Sequence, residues 1–94
     1  MMNYMFFVYI LFSLRDRKLY VGCTNNLEKR IQEHTSGSVI STRERLPLKL
    51  IYYEAYLTRA EAERREKYLK GGNGRAQLKI QLSETLKACG YKHL

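Results

Sequence analysis

The feature that most constrains this chain is the run Met5–Phe12, "MFFVYILF", which is apolar at nearly every position. An amphipathic strand alternates; this one does not, so it must be covered on both faces. A chain of 94 residues can build one modest core and one domain spanning residues 1–94, and that strand belongs at its centre. The run is about half the roughly 20 residues a membrane span needs. It lacks the basic start and small-residue cleavage site of a signal peptide, and its Tyr, Phe, Val and Ile favour a strand. The expectation is a cytoplasmic protein without membrane attachment.

The remaining elements follow from local signals. "LRDRK" is a charged turn, and Lys18–Gly22 is a second strand close enough to form an antiparallel hairpin with the first. "TNNLEKRIQEHTSG" reads as a helix, with Asn25 as its cap, Glu28 three residues on and Gly37 as a left-handed stop. Ser38–Leu46 is an irregular basic loop. Pro47 precedes a third strand, Leu48–Tyr56. A second helix begins at Thr58, whose T-x-x-E pattern with Glu61 is a capping box, with Leu57 and Ala62 as a hydrophobic staple. Gly71 and Gly72 end it. A third helix runs from about Arg75 to Ala88 on Leu78, Leu82 and Leu86. The order β-β-α-β-α-α predicts an α+β (mixed α/β) domain, a small sheet with helices on its faces.

Two helices carry polar residues where the core-facing stripe needs apolar ones. In the first, the stripe is Leu27, Arg30, Ile31 and His34; in the second it is Ala62, Glu66 and Leu69. Each intrusion has an ordinary explanation. Arg30 can snorkel along its stem, His34 can answer the helix dipole, and Glu66 can sit at a fraying edge. A cation, a titratable base and a carboxylate together point to a site between sheet and helices. Tyr9 and Tyr20 join it if the hairpin register sums to an odd number, which a turn centred near residues 14–16 produces; an even sum leaves them as core tyrosines.

Charge points to the partner. Seventeen Lys and Arg against nine Asp and Glu give a net charge of +8, which favours a polyanion, nucleic acid before an anionic membrane. The second helix interleaves Glu61, Glu63 and Glu66 with its bases and lacks a large aromatic face, which disfavours a membrane surface. Cys23 and Cys89 have no zinc-ligand spacing and are expected as free thiols of a reducing compartment.

The order "FVYILFSLRDRKLYVG", "LEKRIQEH", "RREKYLK" resembles the GIY-YIG nuclease superfamily over roughly residues 4–83, especially its small stand-alone bacterial members. The two triplets fall on Phe7-Val8-Tyr9 and Tyr20-Val21-Gly22, with Phe7 in place of the first Gly and Val21 in place of Ile. "STRERLPLKLIYYEAY" also resembles the stand-alone members. The resemblance implies a three-stranded antiparallel sheet and metal-dependent hydrolysis of nucleic-acid phosphodiesters. It assigns the catalytic positions to Tyr9, Tyr20, Arg30, His34 and Glu66, with Glu66 the metal ligand in the pattern Ala62, Glu66, Lys70.

In that chemistry Arg30 offers a planar fork to phosphate oxygens, and Glu66 is a hard ligand for Mg²⁺ or Mn²⁺. One carboxylate implies one divalent cation. Tyr9 is a candidate acceptor of the attacking water's proton if Arg30, the metal or Lys18 lowers its pKa. His34 and Tyr20 are candidates for holding the phosphate, orienting Tyr9 or relaying the proton. Lys18, Arg43, Arg45, Lys49, Arg64, Arg65, Lys67, Lys70, Arg75 and Lys79 are candidate backbone contacts on a nucleic acid, DNA ahead of RNA. With no base-reading module in the sequence, specificity is expected from nucleic-acid shape or a partner protein. The competing reading is a non-catalytic nucleic-acid-binding module that keeps the fold.

Overall fold

A computed structural model describes residues 4–91. The apolar run becomes β1 (Phe6–Ser13), the middle strand of a three-stranded antiparallel sheet ordered β2-β1-β3, with β2 at Leu19–Thr24 and β3 at Leu48–Tyr56. Its central place explains its composition: Val8 through Ser13 are all buried. The helices are α1 (Leu27–Thr35), α2 (Arg59–Lys70), α3 (Gly72–Gln81) and α4 (Ser83–Ala88), with a short 3₁₀ turn at Arg43–Arg45 before β3.

The sheet divides two cores. Val8, Ile10, Phe12, Leu19 and Val21 pack with Ala62, Leu69, Leu78, Leu82 and Leu86 from α2, α3 and α4. On the other face Tyr9, Leu11 and Leu48 pack with Tyr20, Leu27, Ile31, Leu46 and Leu50, so α1 is the one helix on that side, joined by the segment that follows it. Between Ile10 and Leu11 the β1–β3 register shifts. The extra residue lets both Ile51 and Tyr52 join the larger core while Leu50 joins the smaller one.

Several boundaries differ from expectation. β1 and β2 each start one residue later, and β2 runs on to Thr24 because Cys23 and Thr24 pair with Val8 and Phe7. The α1 cap is Asn26, not Asn25: its side chain accepts the Lys29 N–H at 3.2 Å. The stop is as expected. Gly37 takes φ +85°, with Gly37 N–H on the His34 carbonyl and Ser38 N–H on the Glu33 carbonyl, a Schellman pair. Thr58 caps α2 through the Glu61 N–H, but Leu57 stays 68% exposed, so no buried staple forms. Gly71 ends α2, whereas Gly72 begins α3.

The expected last helix is divided at Leu82 (φ −106°, ψ 24°), although Leu82 and Leu86 keep their i−4 hydrogen bonds and all three leucines remain buried. Both cysteines are free. Among the described residues no helix is long and apolar enough to cross a membrane.

Candidate active site

The hairpin register places Tyr9 opposite Gly22 and Leu11 opposite Tyr20, every pair summing to 31. The sum is odd, so Tyr9 and Tyr20 share the face under α1. Tyr9 leans across to β2: a Cβ on Gly22 would collide with the Tyr9 Cζ and hydroxyl. Glycine is required there for space, since its backbone is ordinary strand, and its absent side chain lets the ring lie across the sheet. His34 enters from the last turn of α1. Its ring lies 5.5 Å from that of Tyr9 and 5.1 Å from that of Tyr20, the two tyrosine rings being 6.4 Å apart. The α1 stripe therefore turns its imidazole into the small core, where His34 is fully buried, and does not leave it at the helix end.

The polar atoms of this cluster are connected. The Tyr9 hydroxyl lies 2.8 Å from His34 Nε2, and His34 Nδ1 lies 2.8 Å from Thr42 Oγ1. Arg30, one turn before His34, pairs with Glu33 at 3.0 Å, and its charge acts on the Tyr9 hydroxyl. Burial pushes the Tyr9 phenol up to about 12, against the opposing pull of Arg30 and with smaller upward contributions from Tyr20 and Glu66. Arg30 is thus insufficient to ionise Tyr9. Burial, with Arg30 beside it, pushes His34 down to about 4, so its ring is neutral at neutral pH.

Glu66 reaches the region from the opposite side. Its helix packs through Ala62 and Leu69 on the face of the sheet away from Tyr9, so Glu66 approaches from the side opposite α1. It stands toward β2, where its charge acts on both Cys23 and the leaning Tyr9. The carboxylate is half-buried and paired with Lys70 at 3.0 Å. Among the described residues no three His, Cys, Asp or Glu side chains form a metal cage. A cation here would have one protein carboxylate, which suits Mg²⁺, an ion that keeps most of its waters and takes further oxygens from a phosphate.

Beside the site lies an open depression of about 430 Å³ lined by residues that include Thr24, Asn26, Lys29, Arg30, Glu33 and Arg59. Lys29 and Arg59 were not anticipated. Lys29 sits next to Arg30, and Arg59 directly follows the Thr58 cap, which places it at the mouth where α2 begins. Thr42 was missed as well, because a threonine in a basic loop carries no sequence signal for burial.

The expected nucleic-acid contacts divide. Arg45 pairs with Asp16 at 2.6 Å, and Arg65 grips Glu54 through two hydrogen bonds of 3.0 and 3.1 Å. Glu54 also accepts from the Tyr52 and Tyr56 hydroxyls, so Arg65 is a structural tie between β3 and α2. Arg75 is turned inward, its Nη1 3.5 Å from the Leu19 carbonyl and its Nε buried without a partner. Lys70 is engaged by Glu66, and Lys79 lies over the Tyr91 ring. Lys18, Arg43, Lys49, Arg64 and Lys67 are exposed and form no ion pair among the described residues.

A family model described as the GIY-YIG catalytic domain matches residues 5–79. A UPF0213 protein of Clostridium perfringens is 42% identical over 92 residues, covering 97% of this chain and 95% of that protein. A UPF0213 protein of Bacillus licheniformis is 48% identical over 65 residues, covering 68% and 66%. The solution NMR structure of the UPF0213 protein BH0048 from Bacillus halodurans is similar with a TM-score of 0.52 and 31% identity, covering 83% of this chain and 84% of that one. The paired tyrosines, the glycine beneath one of them and the buried His34 thus lie within a matched region that extends over most of the sequence, and the chain belongs to the GIY-YIG nuclease superfamily.

Proposed function

We propose that the protein is a metal-dependent endonuclease that hydrolyses nucleic-acid phosphodiesters, with DNA the expected substrate. The observation that carries this reading is the buried Tyr9 hydroxyl 2.8 Å from Nε2 of a neutral His34 ring, with the positive charge of Arg30 acting on it. A guanidinium has no lone pair to accept with, so Arg30 acts on the Tyr9 oxygen only as a cation and donor, and in this reading the Tyr9 O–H is directed to Nε2. That arrangement gives Tyr9 both a place to receive a proton and a place to send one.

In the proposed reaction Arg30 holds a non-bridging phosphate oxygen, with Tyr20 at the side. A water attacks phosphorus and the bond to the leaving oxygen breaks. The water's proton passes to the Tyr9 oxygen as the Tyr9 proton passes to His34 Nε2, so a phenol with a pKa near 12 need not ionise in advance. Glu66 would hold a single Mg²⁺ or Mn²⁺, which when bound supplies charge neutralisation at the leaving oxygen. Lys70 pairs with Glu66 Oε2, which leaves Oε1 for the cation.

Lys18, Arg43, Lys49, Arg64 and Lys67 are the remaining cations best suited to the nucleic-acid backbone, and Lys29 and Arg59 add to them at the depression. In this reading they follow the phosphates, and selectivity is assigned to nucleic-acid shape or to a partner protein. The test is cleavage of single-stranded, duplex, flap and junction substrates with and without Mn²⁺. Metal-dependent cutting of any of them is expected. Binding without cutting on every substrate would instead favour the non-catalytic module.

A further inference from the structure

The segment joining α1 to β3 is exposed at Ser38, Ile40, Ser41, Arg43 and Glu44, yet Thr42 in its midst is fully buried. Thr42 stands at the N-cap of the 3₁₀ turn, where a threonine ordinarily turns its hydroxyl back to the backbone. It makes no such cap bond. Its hydroxyl points inward to His34 Nδ1 at 2.8 Å.

This contact has a consequence for the imidazole. A neutral ring carries one N–H and one bare nitrogen, and the partner of one nitrogen decides the state of the other. For the Tyr9 proton to pass to the imidazole 2.8 Å away, Nε2 must be bare. The ring proton must then sit on Nδ1, buried, where it requires an acceptor. Thr42 Oγ1 is the atom there. Without it, the proton is better placed on Nε2, which would donate to Tyr9 and leave Tyr9 nowhere to send its own.

We propose that Thr42 is a positioning residue that accepts the Nδ1–H of His34 and so keeps Nε2 bare toward Tyr9. The two 2.8 Å contacts show that both ring nitrogens are engaged; the choice of tautomer and its effect on cleavage rest on the nuclease reading above.

The test uses the full chain labelled with ¹⁵N-histidine at pH 7, with the His34 signals identified by their loss in His34→Gln. Long-range proton–nitrogen correlations distinguish the tautomers directly. The wild type is expected to show Nδ1–H, Thr42→Val to lose that tautomer, and Thr42→Ser to restore it. In single-turnover cleavage Thr42→Val should fall about 10- to 100-fold, the usual effect of removing an orienting partner. Its affinity for the same substrate in EDTA should be unchanged, and Thr42→Ser should stay within about threefold of wild type. An Nε2–H wild type overturns the proposal, and so does a folded Thr42→Val that keeps Nδ1–H and the full rate. If Thr42→Val does not fold, the wild-type spectrum and Thr42→Ser still decide. A wild type that cleaves nothing counts against the nuclease reading, while the ring signals separately support or overturn the role of Thr42.

Discussion

At the scale of single residues, Glu66 and Arg30 should part company when substituted. Glu66→Gln removes the charge that would hold a cation and also a repulsion toward phosphate. Cleavage with Mg²⁺ or Mn²⁺ should fall by at least about two orders of magnitude, while affinity in EDTA stays level or rises. Arg30→Ala should lose cleavage and some of the binding, since its charge would touch the phosphate directly. A Glu66→Gln variant that cuts as fast as its parent removes Glu66 from the metal site. His34 gives a pH prediction. Its folded pKa of about 4 lies below the ordinary 6.5, so the unfolded chain binds the extra proton first. Stability contributed by the neutral ring is complete above about pH 6.5 and is lost as pH falls toward 4, by about 3 kcal/mol in all. Arg30, Glu33, Tyr9, Tyr20 and Thr42 surround the ring; the two charged ones lie on its own helix and act in opposite directions. Denaturant midpoints of wild type and His34→Gln between pH 4 and 6.5 check this, and equal slopes would refute it. Much of the cluster is legible in sequence because parity is arithmetic: an eleven-residue offset and a short turn put Tyr9 and Tyr20 on one face. The side from which Glu66 arrives is not, since stripe periodicity says that a residue faces the sheet but not which face.

At the scale of elements, the α1 cap separates two adjacent asparagines that sequence cannot rank, since either could precede a helix. Asn26→Ala should cost about 1 kcal/mol in thermal or denaturant unfolding, and Asn25→Ala less than about 0.5. The reverse order would return the cap to Asn25. The joint between α2 and α3 is tighter than its two-glycine signal suggests. A Cβ on Gly74 would strike the Tyr68 carbonyl and come within 2.7 Å of Leu69 Cα, both backbone. Gly74→Ala should therefore destabilise by about 2–3 kcal/mol, measured in the same way, because neither neighbour can rotate aside. A neutral Gly74→Ala would mean that the joint opens freely. This joint was invisible in the sequence, where Gly71 and Gly72 already explain a helix end. The bend at Leu82 was equally hidden: Leu78, Leu82 and Leu86 keep helical spacing straight through it.

At the scale of the whole molecule, net charge overstates what is available for binding, because Arg45, Arg65 and Lys70 are committed to carboxylates. Neutralisation of about five phosphates on duplex DNA predicts a log K against log salt slope of about −4 to −5. Arg43→Ala or Arg64→Ala should reduce its magnitude by about 1, whereas Arg65→Ala should lower stability and leave the slope nearly unchanged. A slope near zero would exclude a phosphate-tracking interface. The two cores are also unequal. Tyr9 and Tyr20 belong to the sheet that three helices support from behind, but Arg30 and His34 ride on one nine-residue helix in front. Amide hydrogens of β1 should accordingly exchange only with global unfolding, while those of α1 exchange through a cheaper, local opening. Warming would then dismantle the reaction centre while the sheet persists, so cleavage should fade at a lower temperature than the loss of β-sheet circular dichroism.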